Sequence, residues 1–143
     1  MQNNSVQQNG FSKDQRSSFS YWFAHWCAFN MTALVHHAWK FKYLFHDFEK
    51  PWLRLIWPYK KVQQFHRLHN AHHTQYKGGV YKFDYEAMLI DWECSRFTKQ
   101  ASPRTAREMF PNELAMAKEH MNSKELAYFE DMLNITANKL NFL

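Results

Sequence analysis

The sequence predicts an all-α protein, folded as a single-domain helical bundle. Three observations predict this. Strand signals are weak along all 143 residues. Aromatics reach 18% while there are only 3 glycines, a mix that suits bulky helical packing better than a turn-rich β sandwich. Apolar residues recur at helical spacing in successive segments that Pro and Gly interrupt. The length suits one core, and the 45% apolar content is ordinary for a globular chain.

Residues 1–16 are rich in Gln, Asn and Ser and are expected to be a disordered tail. The domain then spans 17–143. A first helix is predicted from Ser17 to Trp39, with Trp22, His25, Trp26, Phe29, Ala33 and His36 on one stripe. A second helical segment, 40–49, is expected to end before Pro51. Residues 52–57, "WLRLIW", read as a helical turn or a packed loop. A third helix is expected over 59–76, with Val62, Phe65, His66, His69 and His73 on one side, stopped by the glycines of "KGG". On an ideal helix His72 projects elsewhere, although a break at Asn70 would change that. The fourth helix, Asp84 to Thr98, carries Ala87, Ile90, Cys94 and Phe97 as its apolar stripe, with Asp91 inside it. C-terminal helices follow over 102–140. Ser102-Pro103 or the Thr105/Glu108 capping box starts the first, and Phe110-Pro111 is expected to end it. Asn112–His120 and Asn122–Leu140 are the other two, the last opening on a capping-box pair, Asn122 and Glu125.

The formal net charge is +5. This mild basic excess favours an anionic ligand such as a nucleotide, and admits a nucleic acid. An ordinary solvated basic surface explains it equally well. Cys27 and Cys94 form no CxxC pair, which points to a reducing compartment rather than a disulfide scaffold. The polar start "MQNNSVQQNG" lacks the pattern of a secretion signal. A cytoplasmic location is therefore expected. Ser17 to Trp39 contains no Lys, Arg, Asp or Glu and is long enough to span a ~30 Å bilayer. Its serines, Asn30, Thr32 and three histidines are costly in lipid, so a buried helix is expected instead of a membrane segment.

The chemistry lies in the histidines. "FHRLHNAHH" at 65–73 holds His66, His69, His72 and His73. Imidazoles packed inward need partners for their ring nitrogens, and charging them together is repulsive. A divalent cation resolves both problems, because neutral imidazoles ligate it at ~2.0–2.1 Å. His46-Asp47 offers an adjacent nitrogen and oxygen donor, and Asp91 is a carboxylate on an apolar stripe, where a lone charge is unfavourable. Histidines with carboxylates and no thiolate suit Mn, Fe, Co, Ni or Zn, as one or two ions. His25 lies on an aromatic stripe, where a lone histidine is often a satisfied core residue, and His36 competes with it for a site role.

The order His25, "HD" at 46–47, Lys50, His66, "HH" at 72–73 and Asp91 resembles the HD superfamily of metal-dependent phosphohydrolases. A nearer likeness is a small bacterial and phage family of unknown function with an HD-x-S-K pattern, a His-rich H..rNpHH segment and an acidic DW. Here these read "HDFEK", "HRLHNAHH" and "DWE", within residues 25–97. Phe48-Glu49 departs from the first pattern, and the GYP motif of cyclic-dinucleotide phosphodiesterases is absent. The resemblance implies an all-α HD-like domain that hydrolyses a small phosphate ester such as a nucleotide, in the host cytoplasm if phage-encoded. It implies His46, Asp47 and Asp91 as core ligands with His25 as the fourth. His66 and the pair His72-His73 would hold a second ion or position the phosphate, and His69, on the face of His66 and His73, is a further candidate ligand. Asp47 and Lys50 would be catalytic, and Lys50, Arg54 and Arg67 would bind the substrate phosphate. Two other readings share the residues. One is a metal-stabilised, non-catalytic binding or structural module. The other is a membrane di-iron oxygenase, which "HNAHH" resembles as a histidine box.

Overall fold

A computed structural model describes residues 10–99 and 105–143. It is all-helical: α1 Phe19–Val35, α2 Glu49–Leu53, α3 Tyr59–His69, α4 Tyr85–Thr98, α5 Ala106–Ala117 and α6 Ser123–Lys139. Short 3-10 turns lie at Asp14–Ser17, Phe41–Phe45 and Val80–Lys82. Among the described residues, the only β feature is an isolated bridge between Phe11 and Lys99. None of their helices is long and apolar enough to cross a membrane.

α4 is the central rod, packed between α1 on one side and α5 and α6 on the other. Eleven of its 14 residues are buried, the pattern of a helix enclosed on all sides rather than of a one-faced amphipathic helix. Met88, Leu89, Ile90 and Cys94 meet Phe29 and Ala33 of α1 and Phe129, Leu133 and Ala137 of α6 in one core. Phe97, expected on the inner stripe, is instead 59% exposed. Asp84 caps α4 by accepting a hydrogen bond from the Ala87 amide at 3.1 Å.

α1 is shorter than expected because Ser18 is its cap, accepting from the Tyr21 amide. It ends at Val35, and His37 then takes a left-handed backbone with φ 55°. The expected helix over 40–49 is a 3-10 turn followed by a sharp corner. α2 runs through Pro51, which sits in its first turn, where an amide has no intrahelical partner to lose. α3 stops at His69, well short of residue 76. The Asn70 side chain bonds back to the His66 carbonyl at 2.9 Å and across to Glu49 at 3.0 Å. Those bonds compete with the helix and turn the chain out of it.

The Thr105/Glu108 and Asn122/Glu125 capping boxes are both formed. Residues 102–104 lie outside the described residues. α5 passes through Pro111 rather than ending there. Burial of Ala106, Phe110 and Ala117 outweighs the missing Pro111 hydrogen bond. Two guanidinium bonds from Arg107, to the Phe142 carbonyl and Asn138 Oδ1, help hold that helix. The expected tail also narrows: the Phe11 amide donates to the Thr98 carbonyl at 2.7 Å, and Asp14–Ser17 is ordered against α1.

Candidate metal centre

Five segments, α1, α3, α4 and two connecting stretches, bring their side chains together at the candidate centre. α1 presents His25 between Tyr21 and Phe29, one turn away on either side. The corner after Phe41–Phe45 presents His46 and Asp47. Asp47 adopts φ 54°, a backbone that only a tightly held residue keeps at low cost. The Trp22 indole N–H holds it by donating to the Asp47 carbonyl at 2.8 Å, and the His46 ring stacks on Phe29 with centroids 3.6 Å apart. α3 supplies His66, fully buried. The loop after it supplies His72 and His73, and α4 supplies Asp91.

The donor atoms crowd together. His25 Nε2 lies 2.9 Å from Asp91 Oδ1, 3.2 Å from His46 Nε2 and 3.7 Å from Asp47 Oδ2. His46 Nε2 is 3.3 Å from Asp91 Oδ1 and 3.5 Å from Asp47 Oδ1. His66 Nε2 and His72 Nε2 lie 3.0 and 3.4 Å from that same Asp47 oxygen. Donors ~2.1 Å from one ion stand about 3.0 Å apart at right angles and about 3.4 Å apart in a tetrahedron. The observed spacings match.

Hydrogen bonding does not account for the cluster. Asp47 Oδ1, His66 Nε2, His72 Nε2 and His73 Nε2 are all buried without a hydrogen-bond partner, although His66 and Asp47 are close enough for one. Buried polar atoms are almost always satisfied, and a cation held among these four would satisfy them. Overlapping sets of three residues each could hold a metal ion: His25 with His46 and Asp47, His46 with His72 and Asp91, His25 with Asp91 and Cys94, and His66 with His72 and His73.

The charge states suit a cation. Burial raises the Asp47 carboxyl, but His46, Lys50 and His66 outweigh it and hold it well below the usual range. His25 and His46 do the same for Asp91. Burial pushes His46 down to about 4 against the pull of Asp47, and burial with His72 pushes His73 down to about 2. These carboxylates are ionised and these imidazoles neutral at pH 7, the states that ligate. His66 runs the other way, since Asp47 overcomes burial and raises it. Burial pushes the Cys94 thiol well up, with Asp91 adding to the effect, so without an ion it stays a thiol.

Other expected residues separate around this centre. Lys50 reaches in from α2, its Nζ 2.8 Å from Asp47 Oδ2. Arg67 lines a chamber of about 460 Å³ over the cluster, and Arg54 an adjoining chamber of about 260 Å³. His69, expected on the inner face of α3, points outward: it is exposed, stacks on Phe65 and bonds to the Phe65 carbonyl. His72 takes the inward place because the chain has left the helix at Asn70. His36 is far from the centre, its ring bonded to the Leu140 carbonyl at 2.7 Å.

Glu49 went unassigned in the sequence. It accepts from His66 Nδ1 and from the Asn70 amide, an arrangement that turns His66 Nε2 inward toward Asp47. Its only signal was its place beside Asp47 in a motif where it replaced a small or polar residue. Lys13, Arg16, Lys60 and Lys99 line the larger chamber with Lys50 and Arg67, six cations against the two site carboxylates. They were unreadable because they come from segments far apart in the chain. Comparison with models of protein families, with curated proteins and with solved structures finds no match, so the likeness to HD phosphohydrolases rests on the motifs alone.

Proposed function

We propose that the protein is a metal-dependent phosphohydrolase acting on a small phosphate ester, with a nucleotide as the leading substrate class. The observation that carries this reading is the orphaned, buried Asp47 Oδ1, faced by the imidazole nitrogens of His66 and His72, in a residue that lines a chamber with six cationic side chains. A divalent ion on these nitrogen and oxygen donors would be Mn, Fe, Co, Ni or Zn. It supplies Lewis acidity toward a phosphoryl oxygen and lowers the pKa of water toward neutrality. The chain does the rest. Asp47 and Asp91 provide the negative charge that holds the ion, and His25, His46, His66, His72 and His73 provide its nitrogen donors. Lys50 balances charge on the transferring phosphoryl group, and Arg67 and Arg54 orient its oxygens and those of the leaving group.

The test is elemental analysis of the purified protein, followed by a screen of phosphate esters and nucleotides with Mn, Co or Fe added. A protein that binds none of these ions and gains no activity from them sinks the proposal. A second reading is a non-catalytic module in which the ion only ties the fold together. The convergence of donors from three helices and two connecting segments favours it, because a bound ion would cross-link them. The histidine-box oxygenase reading loses its footing, since His69 lies outside the cluster and no described helix spans a membrane.

A further inference from the structure

Two chambers open on the candidate centre, and they differ in chemistry. The basic one, described above, suits the anion. The other, about 260 Å³, is walled mainly by Phe19, Trp22, Pro51, Leu55, Tyr59 and Val62. The two share seven residues, among them Arg16, His25, Asp47 and Lys50, so they meet over the donor cluster itself. Asp47 is the only carboxylate lining the apolar chamber. Its aromatic side chains are held rather than loose. The Trp22 indole is fastened to the Asp47 backbone by its N–H, which fixes the ring relative to the centre, and the Phe19 ring lies 5.4 Å from it. Phe19 and Leu55, 66% and 79% exposed, form its open side. The Arg54 guanidinium, a flat cation suited to stacking, borders the same space.

We propose that this chamber seats an aromatic ring carried by the phosphate-bearing ligand, either a nucleobase or a simple aryl group. The inference rests on the phosphohydrolase reading for the anionic end of the ligand only. Ser17, Ser18 and Gln63 also line it and suit the polar edge of a heterocycle, while the faces of Phe19, Trp22, Pro51 and Val62 suit a ring over a wholly polar group. Flat aromatic faces and guanidinium planes instead favour a ring over a flexible chain. With phosphorus over Asp47 and the anion in the basic chamber, the ring side of the ester falls into the apolar one.

Calorimetric titration of the full chain with Mn²⁺ added tests this with two matched pairs. Phenylphosphonate against methylphosphonate isolates a directly attached ring. Adenosine 5′-monophosphate against ribose 5-phosphate isolates a base. At least tenfold tighter binding of the ring-bearing member is expected in one pair or both, and which pair responds names the source of the ring. Equal affinities within both pairs overturn the proposal. The Leu55→Asp variant alters an exposed position and should fold; it is expected to reduce the preference to less than threefold. A preference that survives this change places the ring elsewhere and also overturns the proposal. Hydrolysis of the corresponding esters is measured separately. Ring preference without turnover would sink the phosphohydrolase reading alone, and turnover without ring preference would sink the chamber assignment alone.

Discussion

His66 Nε2 stands 3.0 Å from Asp47 Oδ1, and neither atom has a hydrogen-bond partner. The two are close and buried, and each favours the charged form of the other. An ion ligated by both atoms would satisfy each of them. Asp47→Asn keeps the shape and removes the charge, so bound metal should fall to background and ester hydrolysis should drop by at least about 10²-fold. Elemental analysis with circular dichroism separates the outcomes. Loss of hydrolysis with the fold intact marks an enzyme, and loss of folding alone marks a structural ion.

Glu49 sets the orientation of His66 rather than touching substrate. Glu49→Gln weakens the acceptor at His66 Nδ1 and should lower metal affinity by about 10–100-fold, with little change in thermal stability of the metal-free protein. Titration calorimetry with Mn²⁺ reads this directly. Unchanged affinity would show that Glu49 has no part in holding the ring.

The inward places of His66 and His72 and the outward place of His69 make a clean contrast. His69→Ala should leave metal content unchanged, because that ring is exposed and bonded only to the backbone of Phe65. His66→Ala and His72→Ala should each reduce it sharply. Metal loss in the His69 variant would restore the ideal-helix arrangement.

Acid should destabilise the metal-free protein early. Burial holds His46 at about 4 and His73 at about 2, against ~6.5 for an imidazole in the unfolded chain. The unfolded state therefore binds protons that the folded state refuses. Stability present above pH 6.5 is lost as pH falls toward 4, by roughly 3 kcal/mol through His46 alone. His66, raised by Asp47, opposes this in part, because its contribution is present below pH 6.5 and lost above it. Denaturant melts between pH 7 and 4 measure the balance, and a flat profile would contradict it. Added metal should move the loss to lower pH.

Pro111 interrupts an exposed turn of α5. Pro111→Ala restores the missing amide and should stabilise the protein by roughly 1–3 kcal/mol, seen as a higher melting temperature. A fall would mean that the proline's rigidity in the unfolded chain matters more than the hydrogen bond.

The sequence by itself determined the helical class, the Asn122/Glu125 capping box and the carboxylate of Asp91 on a buried stripe. These are local matters. Helical periodicity, the reach of a cap from one residue to the third beyond it, and the cost of a lone carboxylate on an apolar stripe are all legible over a few residues. Only the tertiary structure decided which histidines face inward. His72 replaced His69 because Asn70 found a partner in Glu49, on a different helix, and that bond turned the chain out of α3. His25 prevailed over His36 because the Leu140 carbonyl, from the far end of the chain, holds His36. The six cations over the site likewise come from separated segments. No periodicity connects such residues, because long-range hydrogen bonds and packing place them.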